Sequence, residues 1–314
     1  MNHLSTLARN IALVVPTLNG GEVWERWLVA FSTQTLLPEF LLVMDSSSQD
    51  DTAALARAHG FEVHSIPRGD FDHGGTRQLA AEILEEAQII IYMTQDAIPA
   101  SPDALERLIT AFEDPNVGAA YGRQLPRLGA TPIEAHARLF NYPPVSEVRT
   151  LADIPRLGIR AAFMSDSFAA YRRAALMDVG GFPRRVILGE DTFVAAKMLL
   201  AGWKIAYRAD AQVYHSHAYS PWQEFKRYFD IGVFHAREPW IRERFGEAEG
   251  EGWRYVRSEL TYLLRENPLL IPSSLVRLPL KYLGYRLGKL EASLPRWLKK
   301  RLSMHAFFWD SEPR

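Results

Sequence analysis

The sequence contains no cysteine, which excludes disulfide staples and thiolate metal sites and fits a reducing compartment. Any metal must therefore be held by oxygen or imidazole. No run of about 18 uninterrupted apolar residues occurs, and the opening stretch MNHLSTLARNIALVVPT lacks the apolar block of a signal peptide. These absences predict a cytoplasmic protein that does not span a membrane. An excess of one charge is missing too: 36 Lys and Arg stand against 37 Asp and Glu, a formal net charge of -1. Without a basic surplus, nucleic acid is not the expected partner. There is also no internal repeat and no low-complexity tract.

What is present is a chain of 314 residues, 47% hydrophobic and 23% charged, long enough for one large domain or a domain with an appendage. Four short apolar runs, IALVV (11–15), FLLVM (40–44), FEVHSI (61–66) and QIIIYM (88–93), read as strands buried on both faces. Helices are predicted between them over 22–35, 52–59 and 75–87. The alternation predicts an α/β fold with a mostly parallel central sheet flanked by helices.

Further on, Ser101 is expected as an N-cap, with Pro102 at the first helical position and Leu105, Leu108 and Phe112 on one face. Residues 126–160 carry Pro126, Pro132, Pro143, Pro144 and Pro155 and little periodicity. They predict a long, partly irregular segment near the functional site. SFAAYRRAAL restores order, and GWKIAYRADAQVYHSH reads as a strand pair turning near Ala209 and Asp210. Ser220 and Gln223 stand in capping-box register with Pro221 at the first turn of another helix. The last stretch differs in character, since residues 269–301 hold eight Lys or Arg against Glu291 alone. Pro268, Pro272, Pro279 and Pro295 argue against one continuous helix there. The organisation expected is a catalytic domain over 1–235 and a helical basic extension over 236–314.

In α/β sheets, ligands collect at the carboxyl ends of the strands. Four polar clusters fall at such ends: PTLNGG (16–21), DSSSQDDT (45–52), RGDFDHGGTR (68–77) and TQDA (94–97). Singly, each has a bland reading, Asn19-Gly20-Gly21 as a turn and Asp45 or Asp50 as helix caps. Four in succession point to a shared site. None is a phosphate loop or a G-x-G-x-x-G fingerprint.

The set VVPTLNGG, DSSSQDDT, TQDA and the downstream GEDTF resembles glycosyltransferase family 2, nucleotide-sugar enzymes of the GT-A fold. FDHGGTR with TQDAIP and VYHSH is similar to its bacterial rhamnosyltransferase-like members. The resemblance covers about residues 11–220. It implies inverting transfer of a sugar, L-rhamnose from dTDP-L-rhamnose, to a hydroxyl of a polysaccharide or lipid-linked oligosaccharide.

The family's D-x-D element ends a strand and holds a divalent cation against the donor diphosphate. Here it reads Thr94-Gln95-Asp96, with only the last carboxylate present. The implied cation is Mg2+ or Mn2+. Alternatively, Asp96 is a strand-end cap near Ser101. His215 and His217 alternate onto one side of an extended chain, and the resemblance implies that one of them completes the cation site; otherwise both are surface or acceptor-site histidines. Asp191 is implied as the general base, with Glu190 supporting it or the acceptor. A helix N-terminus would also explain two acids after Gly189.

Arg77 is assigned to the diphosphate, with Gly74 and Gly75 allowing close backbone approach. Asp72 and His73 are open between loop structure and function. Pro16, Thr17, Asn19 and Asp45 are implied to line the nucleoside pocket, with Gln95 and Asp96 also on the donor. Asp166 is implied to face donor or acceptor. The basic C-terminal stretch reads either as a surface for anionic membrane or as a solvated helical face. Two rival functions remain: nucleotidyltransfer on a similar fold, and a non-catalytic glycan-binding scaffold. Against nucleotidyltransfer, PTLNGGEVWERW has no Lys or Arg before Arg26.

Overall fold

The computed structural model describes residues 10–246 and 250–310. The outer ends of both expected units, residues 1–9 and 311–314, lie outside that range. Four strands form a parallel half-sheet in the order β3-β2-β1-β4: β1 (Ile11–Thr17), β2 (Phe40–Asp45), β3 (Glu62–Ser65) and β4 (Ile89–Met93). Period-2 alternation sends successive residues into two cores. Ile11, Leu13 and Val15 pack on one face with α1 (Gly21–Ser32), whose Trp24, Trp27 and Phe31 are buried. Ala12 and Val14 face the other core, which takes in Ala80 and Ala81 of α3 (His73–Ile83). Between these helices, α2 (Thr52–Ala58) contributes Ala56 to the first core. Both faces of β1, β2 and β4 being covered explains why those strands read as apolar runs, whereas β3, at the sheet edge, is exposed at Glu62 and Ser65 and is not buried on both faces as expected.

Helix α3 begins two residues earlier than expected, because Asp72 accepts a hydrogen bond from Gly75 N at its N-cap. The predicted Ser101 cap is corrected in the same way. After the short β5 (Ile98–Pro99), α4 spans Ala104–Ile109, and Ser101 Oγ donates to Asp103 Oδ1 at 2.7 Å instead of capping a helix. Leu105, Leu108 and Phe112 are buried as the pattern required.

Beyond β4 the sheet is mixed, not parallel. Its remaining elements are β6 (Val117–Leu125), α5 (Pro132–Asn141), β7 (Glu147–Arg149), α6 (Ile154–Leu157), β8 (Phe168–Arg172), α7 (Arg173–Asp178), α8 (Glu190–Leu200) and β9 (Lys204–Tyr214). Strand β8 runs antiparallel to β4 and β6, while β6 and β9 are parallel. The strand pair expected around Ala209 is one strand. β6 pairs with β9 on both sides of the irregularity, Gly122 opposite Arg208 and then Arg123 opposite Gln212, so residues 209–211 form a bulge. A turn would have folded the two halves against each other. The outer edge of β9 is taken first by β7 and then by β5.

The irregular segment 126–160 does contain a full helix, α5, started by a capping box of Thr131 and Glu134. The C-terminal part is helical: α9 (Pro221–Arg237), α10 (Pro239–Phe245), α11 (Glu251–Glu266), α12 (Ile271–Lys289) and α13 (Arg296–Leu302). The Ser220–Gln223 box caps α9 as expected. Pro279 does not end α12. Pro279 and Leu275 are both exposed, so the carbonyl freed four residues back faces water, where the loss is small. The break falls instead at residues 290–295. Helices α9 and α12 pack backbone to backbone: a Cβ at Gly288 would stand 2.0 Å from the Phe229 carbonyl oxygen, and one at Gly284 would stand 2.3 Å from that of Phe225. Phe229, Val233, Phe308 and Trp309 share one core with Tyr92 and Tyr171 of the sheet.

Candidate active site

The carboxyl ends of β4 and β9, the start of α8 and the inner faces of α5 and α9 enclose a cavity of about 950 Å³. Asp96, Asp191, His215 and His217 all line it. Asp96 sits in the turn after β4, which is fastened by Thr94 N to the Ser167 carbonyl and Ala97 N to the Thr94 carbonyl. Gln95 faces the other way, exchanging two hydrogen bonds with the Leu18 backbone. It ties the loop after β1 to the Asp96 turn.

Both histidines reach Asp96. His215 Nε2 is 3.4 Å from Oδ1, and His217 Nδ1 is 3.9 Å from Oδ2. One ligand atom from each of the three residues falls within 4.8 Å of the others. Gln124 sets the tautomer: its Oε1 accepts from Arg138 NH1 at 2.6 Å and faces His215 Nδ1 at 2.9 Å, while its Nε2 donates to Ser165 Oγ. With Oε1 fixed as the acceptor, Nδ1 of His215 is a donor, which leaves Nε2 as the ring atom that would ligate a cation beside Asp96. Burial, more than the neighbouring His215, lowers His217 to about 4, which keeps that ring neutral. One carboxylate and two imidazoles make a donor set that fits a divalent cation.

On the opposite wall, Gly189 adopts a left-handed conformation (φ +82°) that turns the chain into α8. Asp191 follows in the first turn, its Oδ1 accepting from Thr192 N at 2.6 Å. Burial, then the charge of Glu190, raises its carboxyl to about 6. Behind it lies a charge cluster in which Arg77 stands 2.9 Å from Glu190 Oε1 and 3.1 Å from Asp166 Oδ2. The Arg77 Nε–H is not aligned on Asp166, so that contact is an ion pair without a hydrogen bond. Tyr171 donates to Asp166 Oδ1 at 2.6 Å. Three carboxylates share one guanidinium, and burial, reinforced by the charges of Asp191 and Glu190, raises the Asp166 carboxyl to about 8 despite the opposing pull of Arg77. Asp166 and Asp191 titrate as a coupled set, and burial raises both carboxyls.

Arg77, expected at the diphosphate, lines the cavity but is turned onto protein groups. The residue is 4% exposed, and its fork is occupied by Glu190, Asp166 and the His73 carbonyl, so it braces the acidic wall. Gly74 likewise approaches protein, not phosphate, since a Cβ there would lie 1.9 Å from the Pro183 carbonyl oxygen. Asp72 caps α3 and accepts from Arg185 N, while His73 is half-buried with its pKa lowered to about 3 by desolvation. The expected nucleoside residues lie on the adjoining loops. Asp45 accepts from Thr17 Oγ1, Ser48 N and Ser48 Oγ. Asn19 binds the loop after β2 through Gln49 N. Pro16, Thr17, Asn19, Asp45 and Gln95 do not line the enclosed cavity. Sequence reasoning missed Gln124, Arg138 and Arg227, which no local motif distinguishes.

A parallel half-sheet continued by mixed strands, with acidic and imidazole groups meeting at its rim, is the GT-A architecture. The mannosyltransferase PcManGT of Pyrobaculum calidifontis, solved with GDP-Man and Mn2+, superposes with a TM-score of 0.56 at 19% identity over 96% of this chain and 88% of its own. S. aureus TarS 1-349, solved with UDP-GlcNAc, gives 0.53 at 15% identity over 90% of this chain and 91% of its own. The glycosyltransferase like family 2 model matches residues 8–229, and the chain belongs to that family. It is 48% identical over 302 residues to the O-antigen chain rhamnosyltransferase RfbN of Salmonella typhimurium and 47% identical over 303 to WbaN of Salmonella anatum, each match covering 96% of both chains. The protein is a glycosyltransferase, which sets aside nucleotidyltransfer and the non-catalytic scaffold. Among the described residues, no helix is long and apolar enough to cross a membrane.

Proposed function

We propose that the protein transfers L-rhamnose from dTDP-L-rhamnose, with inversion, to a hydroxyl of an O-antigen-type polysaccharide or lipid-linked oligosaccharide. The observation carrying this reading is that Asp191 and the Asp96–His215–His217 group line one cavity; the named relatives supply the sugar. Asp191 takes the proton of the acceptor hydroxyl as that oxygen forms a bond to the anomeric carbon. The bond from that carbon to the diphosphate oxygen breaks on the opposite face, and dTDP leaves with the bonding pair. Asp96, His215 and His217 would hold Mn2+ or Mg2+, which when bound neutralises charge on the leaving diphosphate. Two imidazoles beside one carboxylate favour Mn2+, because Mg2+ prefers an all-oxygen shell. Glu190 and Arg77 hold the base in place, while the loops bearing Asn19 and Asp45 receive the nucleoside.

The division into a catalytic unit over 1–235 and an extension over 236–314 is kept as a proposal, with the extension facing acceptor or membrane. Its surface exposes Leu275, Val276, Tyr282, Leu283, Leu290 and Trp297. Arg277 and Lys281 pair with Glu224, Lys299 with Glu291, and Arg296 and Lys300 with Asp310. Arg286, Lys289 and Arg301 join no ion pair among the described residues. That combination suits peripheral contact with an anionic bilayer. The functional test is dTDP release from dTDP-L-rhamnose with Mn2+ and a rhamnose-accepting oligosaccharide, run beside other nucleotide sugars. Turnover confined to a different donor would overturn the assignment of the sugar.

A further inference from the structure

Two guanidiniums in the cavity have no task in the reaction described so far. Arg138 on α5 and Arg227 on α9 both line it. Most of the carboxylates around them already have cations: Glu134 has Arg127, Glu224 has Arg277 and Lys281, and Glu190 and Asp166 share Arg77. Neither Arg138 nor Arg227 pairs with a carboxylate among the described residues. Arg138 NH1 donates to the neutral amide of Gln124, and its buried Nε has no hydrogen-bond partner. A buried cationic donor left unmatched is costly unless a ligand supplies the acceptor.

Each arginine is linked to the candidate cation site through one of its histidines. Arg138 connects to His215 through a single atom, Oε1 of Gln124, at 2.6 Å from one and 2.9 Å from the other. The Arg227 guanidinium carbon lies 5.9 Å from the centroid of the Tyr219 ring, which is itself 5.3 Å from the His217 ring. Tyr142 lies within electrostatic reach of both. Burial raises its phenol, and Arg138 and Arg227 each pull it back; Arg138 stands 6.0 Å from the ring centroid.

We propose that Arg138 and Arg227 clamp the donor diphosphate, each fork taking phosphate oxygens beside the cation held by Asp96, His215 and His217. The planar guanidinium suits phosphate, and fixed positive charge here is worth most as the glycosidic bond breaks and the diphosphate gains charge. This rests on the cavity being the transfer site. The same chemistry could recognise a pyrophosphate-linked acceptor, so the test must separate the two sources.

The experiment is calorimetric titration of dTDP and dTMP, with UDP and UMP in parallel, in the presence and absence of Mn2+. Wild type, Arg138→Gln, Arg227→Gln and Arg138→Lys are compared after matching their melting temperatures. Arg227 is exposed, so its variant keeps the test alive should Arg138→Gln fail to fold. The expected result is dTDP affinity weakened about 10- to 100-fold by either glutamine, dTMP affinity little changed, and only partial rescue by lysine. Unchanged preference for diphosphate over monophosphate in both glutamine variants overturns the clamp. So does a loss confined to KM for a pyrophosphate-linked acceptor. A wild type that binds none of the four nucleotides overturns the donor reading itself, a different outcome from variants that bind like wild type.

Discussion

His215 Nε2 lies 3.4 Å from Asp96 Oδ1, across the gap between the end of β9 and the end of β4. Gln124 holds the other ring nitrogen at 2.9 Å, which fixes the ring so that Nε2 is the atom turned to that gap. Replacing Gln124 with Leu should therefore weaken Mn2+ binding by about 10- to 100-fold without removing a ligand. Titration of Mn2+ followed by electron paramagnetic resonance reads this directly. Unaltered affinity would mean that the ring is oriented by something else.

Asp191→Asn should lower turnover by about 10²- to 10⁴-fold while dTDP still binds. In the wild type, activity should fall as pH drops through about 6, where the carboxyl raised by burial and by Glu190 takes up a proton. Stability has the opposite sign. Folded Asp191 binds a proton more tightly than the unfolded residue, with its reference value of 3.8, so this contribution is complete below the unfolded value and is lost as pH rises through about 6. At pH 7 Asp191→Asn should thus raise stability, by at most about 3 kcal/mol. Rate and melting profiles from pH 5 to 8 would show both signs. Asp166, Glu190, Arg77 and Tyr171 act on the same carboxyl or its neighbours and must be left intact.

Arg77→Ala should destabilise the fold by about 3–5 kcal/mol, because it strands Glu190 and Asp166 without a cation in a buried cluster. Urea denaturation measures the loss. A variant of wild-type stability that instead binds dTDP poorly would return Arg77 to the diphosphate.

Gly288→Val should push α9 from α12, since a Cβ already meets the Phe229 carbonyl oxygen at 2.0 Å. The expected cost is about 1–3 kcal/mol or more. Activity should fall disproportionately, because α9 carries the Arg227 wall of the cavity. Melting temperature and turnover at a permissive temperature separate the two effects.

Sedimentation with liposomes tests the C-terminal face. Binding should favour anionic over neutral vesicles, weaken with salt, and drop when exposed Leu283 and Trp297 become Glu. Equal, salt-insensitive partitioning would exclude a basic membrane-facing surface.

What the sequence determined by itself was whatever local chemistry decides. Ile11–Val15 had to be buried on both sides, Ser220 and Gln223 had to start a helix, and polar clusters had to gather where parallel strands end. The family motifs located Asp96, Asp191 and the two histidines. Tertiary structure alone decided the rest, because those questions turn on partners distant in the chain. Ala209–Ala211 has the local composition of a turn, and only pairing with β6 on both sides makes it a bulge. Arg77 has the form of a phosphate ligand, and only the convergence of Glu190 and Asp166 occupies it. Conversely, nothing near Gln124, Arg138 or Arg227 in the sequence marks them. They acquire meaning from the cavity they enclose, since an electrostatic site is defined by distances in space that spacing along the chain does not encode.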